Sequence, residues 1–210
     1  MIQILDDLIR RNPALESCRE QILAAVEIMI DAYSRDCKLL IAGNGGSAAD
    51  AEHIVGEMMK SFRIPKTLPA GYGEALVACD PELGGVLRAN LQGALPAIAL
   101  DGHVALSTAY LNDCEPLLCF AQQVNGYGRE GDVFLAISTS GNSRNVLYAA
   151  VAARARGMKV IGLTGARDNL LEAYTDVCIH APATDTDRIQ ELHLPIYHCI
   201  CQMVEKHFFG

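Results

Sequence analysis

The chain has no tryptophan, and aromatic residues make up only 6% of its 210 positions. Its core must therefore be built from branched aliphatics, alanine and methionine rather than large rings. Positive charge is also scarce: 17 Lys and Arg stand against 25 Asp and Glu, a net charge of −8. A duplex-binding surface needs the opposite sign, so no nucleic-acid partner is expected. No run of about 18 uncharged apolar residues occurs, so no membrane span is expected. The first residues, Met1 to Leu8, lack the basic start and long apolar stretch of a secretory signal. No C-x-x-C pair occurs among the eight cysteines, at 18, 37, 79, 114, 119, 178, 199 and 201. A thiolate zinc module is therefore not expected; buried, reduced thiols in a cytoplasmic protein are.

What is present is a globular composition, 50% hydrophobic and 20% charged. The length favours one domain, 1–210, with one sizeable core. Residues 1–35 read as helical, broken at Asn12-Pro13. After the break Leu15, Cys18, Ile22, Ala25, Val26, Met29 and Tyr33 follow a 3,4 spacing and predict one apolar stripe. Either a sheet or a partner subunit could receive it. Apolar runs at 38–42, 97–100, 132–137, 159–163 and 175–179 predict strands. Helical patterns at 48–62, 144–156 and 185–208 alternate with them, which predicts a parallel sheet covered on both faces. Residues 64–96 fit less well; Pro81 to Gln92 reads as a short helix, and so long a connection suggests a lid or a subunit contact. Pro195 lies inside the last helix and should bend it.

Two glycine- and hydroxyl-rich turns end the first and third of these strands, where ligands bind in such sheets. Ser138-Thr-Ser-Gly-Asn-Ser143 precedes a helix, whose N-terminal N–H groups and dipole favour an anion. Four hydroxyls there suit a phosphate monoester, although Ser143 could also be an ordinary N-cap. Gly43-Asn-Gly-Gly-Ser47 is a weaker anion site, since its glycines could serve only a tight turn. Neither turn has the Walker lysine or the dinucleotide glycine spacing. His53 and Glu57, four apart, share a helix face and could bind a metal, act as acid and base, or form a plain surface pair. Gln190 and His198 lie within about 80° of one another on the last helix, and His193 points elsewhere.

Gly43-Asn-Gly-Gly-Ser47, Ser138-Thr-Ser-Gly-Asn-Ser143 and Asp187-Arg-Ile-Gln-Glu-Leu-His193 together resemble the SIS (sugar isomerase) domain family, in that order and over most of the chain. The likeness is greatest to members that interconvert D-sedoheptulose 7-phosphate and D-glycero-D-manno-heptose 7-phosphate through an enediol. The resemblance implies an α/β three-layer sandwich with a flavodoxin-like five-stranded parallel sheet. It implies a homotetramer with the N-terminal helices at its centre, active sites shared between subunits, and one zinc ion per subunit. By position, it implies that Asn44, Gly45, Gly46, Ser47, Asn112, Asp113, Asp187 and Gln190 contact the phosphosugar. Ser138, Thr139, Ser140 and Ser143 would hold its phosphate. His53, Glu57, Gln190 and His198 match the zinc ligands, and Glu57 and His198 also match the acid–base pair. The segment from Glu57 to Asn112 is about two dozen residues longer than the family pattern. Non-catalytic phosphosugar binding, a replication-initiator scaffold, and isomerisation of another phosphosugar are the alternatives; a scaffold has no use for Glu57, Gln190 and His198 together.

Overall fold

Five short apolar runs make the sheet. A computed structural model of residues 1–210 places them at Leu39–Ala42 (β1), Ala97–Ala99 (β2), Val133–Ile137 (β3), Lys159–Gly165 (β4) and Val177–Ala181 (β5). They pair in the order β2-β1-β3-β4-β5, every pair parallel, with Leu39 beside both Ala97 and Val133. This is the flavodoxin-like order the resemblance implies. Side chains alternate between faces along each strand. Leu39, Ile41, Leu135, Ile161 and Leu163 enter a core of 32 buried residues on one face. Leu40, Ala42, Phe134, Ala136 and Val160 enter a core of 14 on the other. Both faces must be apolar, which is why the strands read as continuous runs.

Nine α-helices accompany the sheet: Ile2–Arg11 (α1), Arg19–Tyr33 (α2), Gly46–Met59 (α3), Ala70–Cys79 (α4), Pro81–Asn90 (α5), Val104–Asp113 (α6), Cys119–Tyr127 (α7), Arg144–Ala155 (α8) and Thr186–Phe209 (α9). All seven residues of the predicted N-terminal stripe are buried. They face the chain's own sheet and α9, so the first two helices close a face of their own domain. The stretch after Pro13 tightens into a 3₁₀ turn, Pro13–Cys18, before α2 begins. β5 starts two residues later than expected because Asp176 is engaged at the start of β4. Its carboxylate accepts from the Lys159 ammonium at 2.8 Å and from Val160 N at 2.8 Å. Pro195 does not interrupt α9, which runs through it as 24 residues.

The long connection carries two helices rather than a loop. Asp80 caps α5 by accepting from Glu82 N at 3.0 Å and Leu83 N at 2.8 Å, with Pro81 in the first turn. α4 and α5 pack on each other, and a Cβ at Gly84 would lie 2.0 Å from the Leu76 carbonyl oxygen. Gly84 is thus the residue that lets the two backbones touch. Tyr72, Leu83, Val86 and Leu87 of this hairpin are exposed.

The connection is anchored at its start by a buried charge pair. Lys66 donates to the carbonyls of Glu57 at 2.7 Å, Met58 at 2.9 Å and Lys60 at 2.6 Å. These are the end of α3, where unpaired carbonyls and the helix dipole favour a cation. Glu205 of α9 accepts from Phe62 N and Arg63 N at 2.8 Å each, and lies 3.7 Å from the Lys66 ammonium. Burial pulls the Lys66 pKa below its usual value, and Glu205 pulls it back. The Glu57 turn of α3 is thereby locked to α9.

The cysteines correct an expectation in part. All eight are free, but only Cys18, Cys178, Cys199 and Cys201 are buried. Cys79 and Cys114 are exposed because they end α4 and follow α6, two helices that lie off the main cores. No helix is long and apolar enough to cross a membrane.

Candidate active site

β1 and β3 are neighbours whose chain connections leave in opposite directions across the sheet, which makes a crevice at their carboxyl ends. Both predicted turns open there. Gly45 adopts φ +57°, a conformation for glycine, and starts α3. A Cβ at Gly46 would lie 2.5 Å from Gln190 Nε2, so glycine lets the α9 side chain rest on the turn. Asn44 and Asn145 exchange two amide hydrogen bonds, at 3.0 and 2.8 Å, and tie the first turn to the start of α8. Ser47 is buried beneath them.

In the second turn Ser143 stands at the N-cap of α8 but makes no side-chain cap bond. Its hydroxyl instead pairs with that of buried Ser138 at 3.2 Å. The capping alternative therefore does not account for the serines. Thr139 and Ser140 line a cavity of about 180 Å³ with Arg167, Thr184 and Thr186. Its hydroxyls and one guanidinium suit an anion, and Asn142 and the Asp168 carboxylate complete the polar wall. Changing Ser140 and Ser143 together to alanine is expected to raise KM about 10-fold or more, with a smaller change in kcat. Steady-state kinetics read it; an unchanged KM removes the turn as the phosphate site.

At the other end of the site, α3 and α9 bring three groups together. His53 Nε2 lies 3.2 Å from Glu57 Oε1 and 3.4 Å from His198 Nε2. Glu57 is 9% exposed, and its Oε2 has no hydrogen-bond partner, though the Lys60 ammonium is 3.7 Å away. Burial first, then the neighbouring His53, hold the His198 pKa below its usual value. His198 also borders an open groove of about 530 Å³ lined by Arg11, Phe62, Arg63 and Pro195. Two nitrogens and an oxygen bound to one zinc ion are separated by about 3.3 Å, the edge of a tetrahedron with bonds near 2.0 Å. The His53–Glu57 and His53–His198 separations match that edge, and imidazole and carboxylate are suitable donors; the Gln190 amide rests on Gly46 and makes no hydrogen bond to them. The set is open in the chain as it stands: both short contacts share His53, and no group of three His, Cys, Asp or Glu closes into a cage.

Not every predicted residue joins. Asn112 and Asp113 end α6, exposed and bonded to one another at 2.7 Å, and line neither the Thr139–Ser140 cavity nor the groove beside His198. Asp187 is exposed in the first turn of α9, 3.9 Å from Arg188. His193 points away from His198, as expected; the sheet receives it, with Nε2 3.2 Å from the Thr164 carbonyl oxygen and its pKa pushed down to about 4 by burial. The residues not anticipated are Asp50, Asn145, Arg167, Thr184, Thr186 and Tyr197. Of these only Asp50 had a usable signal: it lies three before His53 and seven before Glu57, on the same helix face.

The SIS domain family model matches residues 78–165, from the end of α4 to the end of β4 and including the hydroxyl-lined turn. The phosphoheptose isomerase of Clostridium acetobutylicum is 38% identical over 191 residues, 91% of this chain and 84% of that protein. The solved phosphoheptose isomerase of Neisseria gonorrhoeae superposes with a TM-score of 0.75 at 34% identity, covering 96% of this chain and 95% of the other. That of Francisella tularensis gives 0.76 at 30% identity, covering 96% and 94%. The chain belongs to the phosphoheptose isomerase family.

Proposed function

We propose that this protein is an aldose–ketose isomerase that converts D-sedoheptulose 7-phosphate to D-glycero-D-manno-heptose 7-phosphate. The observation that carries the reading is the meeting of Glu57 from α3 and His198 from α9 at one nitrogen of His53. Moving the carbonyl from C2 to C1 needs two proton transfers at carbon. Glu57, buried and with one oxygen unpartnered, takes a proton from C1. The C–H electron pair becomes the C1–C2 double bond of an enediolate, and negative charge settles on the oxygens. The O1 hydroxyl proton passes to O2, and His198 returns a proton to C2 as the O1 electrons fall back to form the C1 carbonyl. Imidazole suits this step because it exchanges protons with water near neutrality.

The phosphate, held in the Thr139–Ser140 pocket, supplies binding energy that fixes the reacting carbons. His53, Glu57, Gln190 and His198 would hold one zinc ion, which would supply positive charge beside the enediolate oxygens. In one chain the phosphate pocket and the His198 groove are separate cavities, and Asn112 and Asp113 reach neither. A homotetramer in which a second subunit completes each site accounts for this. Exposed Val104 and Leu111 on α6 offer apolar surface for such contact. The eight unpaired thiols suit the reducing cytoplasm.

The test is turnover of sedoheptulose 7-phosphate by the purified protein, with and without a zinc chelator. Formation of the aldose, suppressed by chelation and restored by zinc, is expected. No aldose under any metal condition contradicts the isomerase reading; turnover indifferent to chelation contradicts the metal.

A further inference from the structure

Tyr197 is one of the largest fully enclosed side chains in the protein, 2% exposed, yet its hydroxyl reaches the site. It donates to Asp50 Oδ1 at 3.1 Å and lies 3.0 Å from His53 Nδ1. We propose that Tyr197, anchored by Asp50, is a positioning residue that holds His53 in the tautomer whose Nε2 lone pair faces Glu57 and His198. For its functional consequence the inference rests on the isomerase reading; its geometry does not.

A phenol has one proton to give. Given to the Asp50 carboxylate, it leaves the tyrosine oxygen only as an acceptor, so the short contact to His53 requires a hydrogen on Nδ1. A neutral imidazole carries hydrogen on one nitrogen only, so Nε2 is then bare. That atom is the one 3.2 Å from Glu57 and 3.4 Å from His198. The opposite tautomer would draw the tyrosine proton to His53 and strip Asp50 of its donor. Asp50 Oδ2 is already buried without a partner, and a second bare oxygen on the same carboxylate would be costly. The ring itself is gripped: the phenol meets the His53 ring edge-to-face at 5.6 Å and the His198 ring at 5.0 Å. One side chain therefore sets the tautomer of one imidazole and packs on both.

The test separates this role from plain packing, because Tyr197→Phe keeps the ring and removes only the hydroxyl. Nitrogen-15 NMR of the histidine side chains in the intact protein, without substrate, should show His53 protonated at Nδ1 in the wild type. In Tyr197→Phe it should show loss of that single tautomer. The kcat of the variant should fall about 10–100-fold while KM stays near the wild-type value. Asp50→Asn keeps an acceptor oxygen for Tyr197 and should lie between the two. An unchanged His53 tautomer in Tyr197→Phe overturns the proposal. If that variant does not fold, the same spectrum of Asp50→Ala decides, with retained Nδ1 protonation counting against it. The tautomer is read without turnover, so a failure of the isomerase reading shows separately, as wild-type protein that makes no aldose.

Discussion

Glu57→Gln is expected to lower kcat for sedoheptulose 7-phosphate by about 10²–10⁴-fold, the usual worth of a positioned acid–base group, with little change in KM. The substitution is nearly isosteric, and the amide can still meet His53, so the fold and the subunit assembly should survive. What it removes is the ability to accept a proton from carbon. This carboxylate is almost enclosed, one oxygen lies 3.2 Å from His53 Nε2, and the second has no hydrogen-bond partner. Steady-state kinetics on variant protein with a wild-type melting curve is the measurement. A near-wild-type kcat removes Glu57 as the base.

Lys66→Met is expected to destabilise the protein by about 3–5 kcal/mol, the largest effect on stability foreseen here. The ammonium side chain is wholly enclosed and makes three hydrogen bonds to the last carbonyls of α3. Methionine fills the space and satisfies none of them. Glu205 is left buried with no cation, facing only the backbone N–H groups of Phe62, Arg63 and Ile64. Removing both charges together, Lys66→Met with Glu205→Gln, should cost less than the sum of the single changes, because each single change strands its partner. Denaturant unfolding at fixed protein concentration reads the difference. A Lys66→Met protein within about 1 kcal/mol of wild type would show that the pair is not what holds the end of α3 to α9.

The sheet was legible because parallel strands buried on both faces leave unbroken apolar runs such as Leu39–Ala42 and Val133–Ile137. The two ligand turns were legible because glycine and hydroxyl residues cluster where each strand ends. α4, α6 and α7 were not. α4 begins Ala70-Gly-Tyr-Gly and buries only Gly73, and α6 buries nothing, so neither carries an apolar stripe for the periodicity to reveal. The anchoring pair was hidden for another reason. A lysine in a proline-rich connection reads as exposed, and only the fold shows that Lys66 turns inward beneath α3. The His53–Glu57–His198 meeting came from the family resemblance and from helix spacing. Tyr197 beside His198 gave no pattern at all, because an aromatic on an apolar helix face looks like core, which it also is.

The central claim is that one group takes the proton from C1 and a different, solvent-exchanging group returns one to C2. Running the reaction in D₂O and reading the product by NMR tests it directly. The two-group account requires deuterium at C2 of the newly formed aldose. Full turnover with only hydrogen at C2 would mean that the same hydrogen travels between the carbons, and would contradict it.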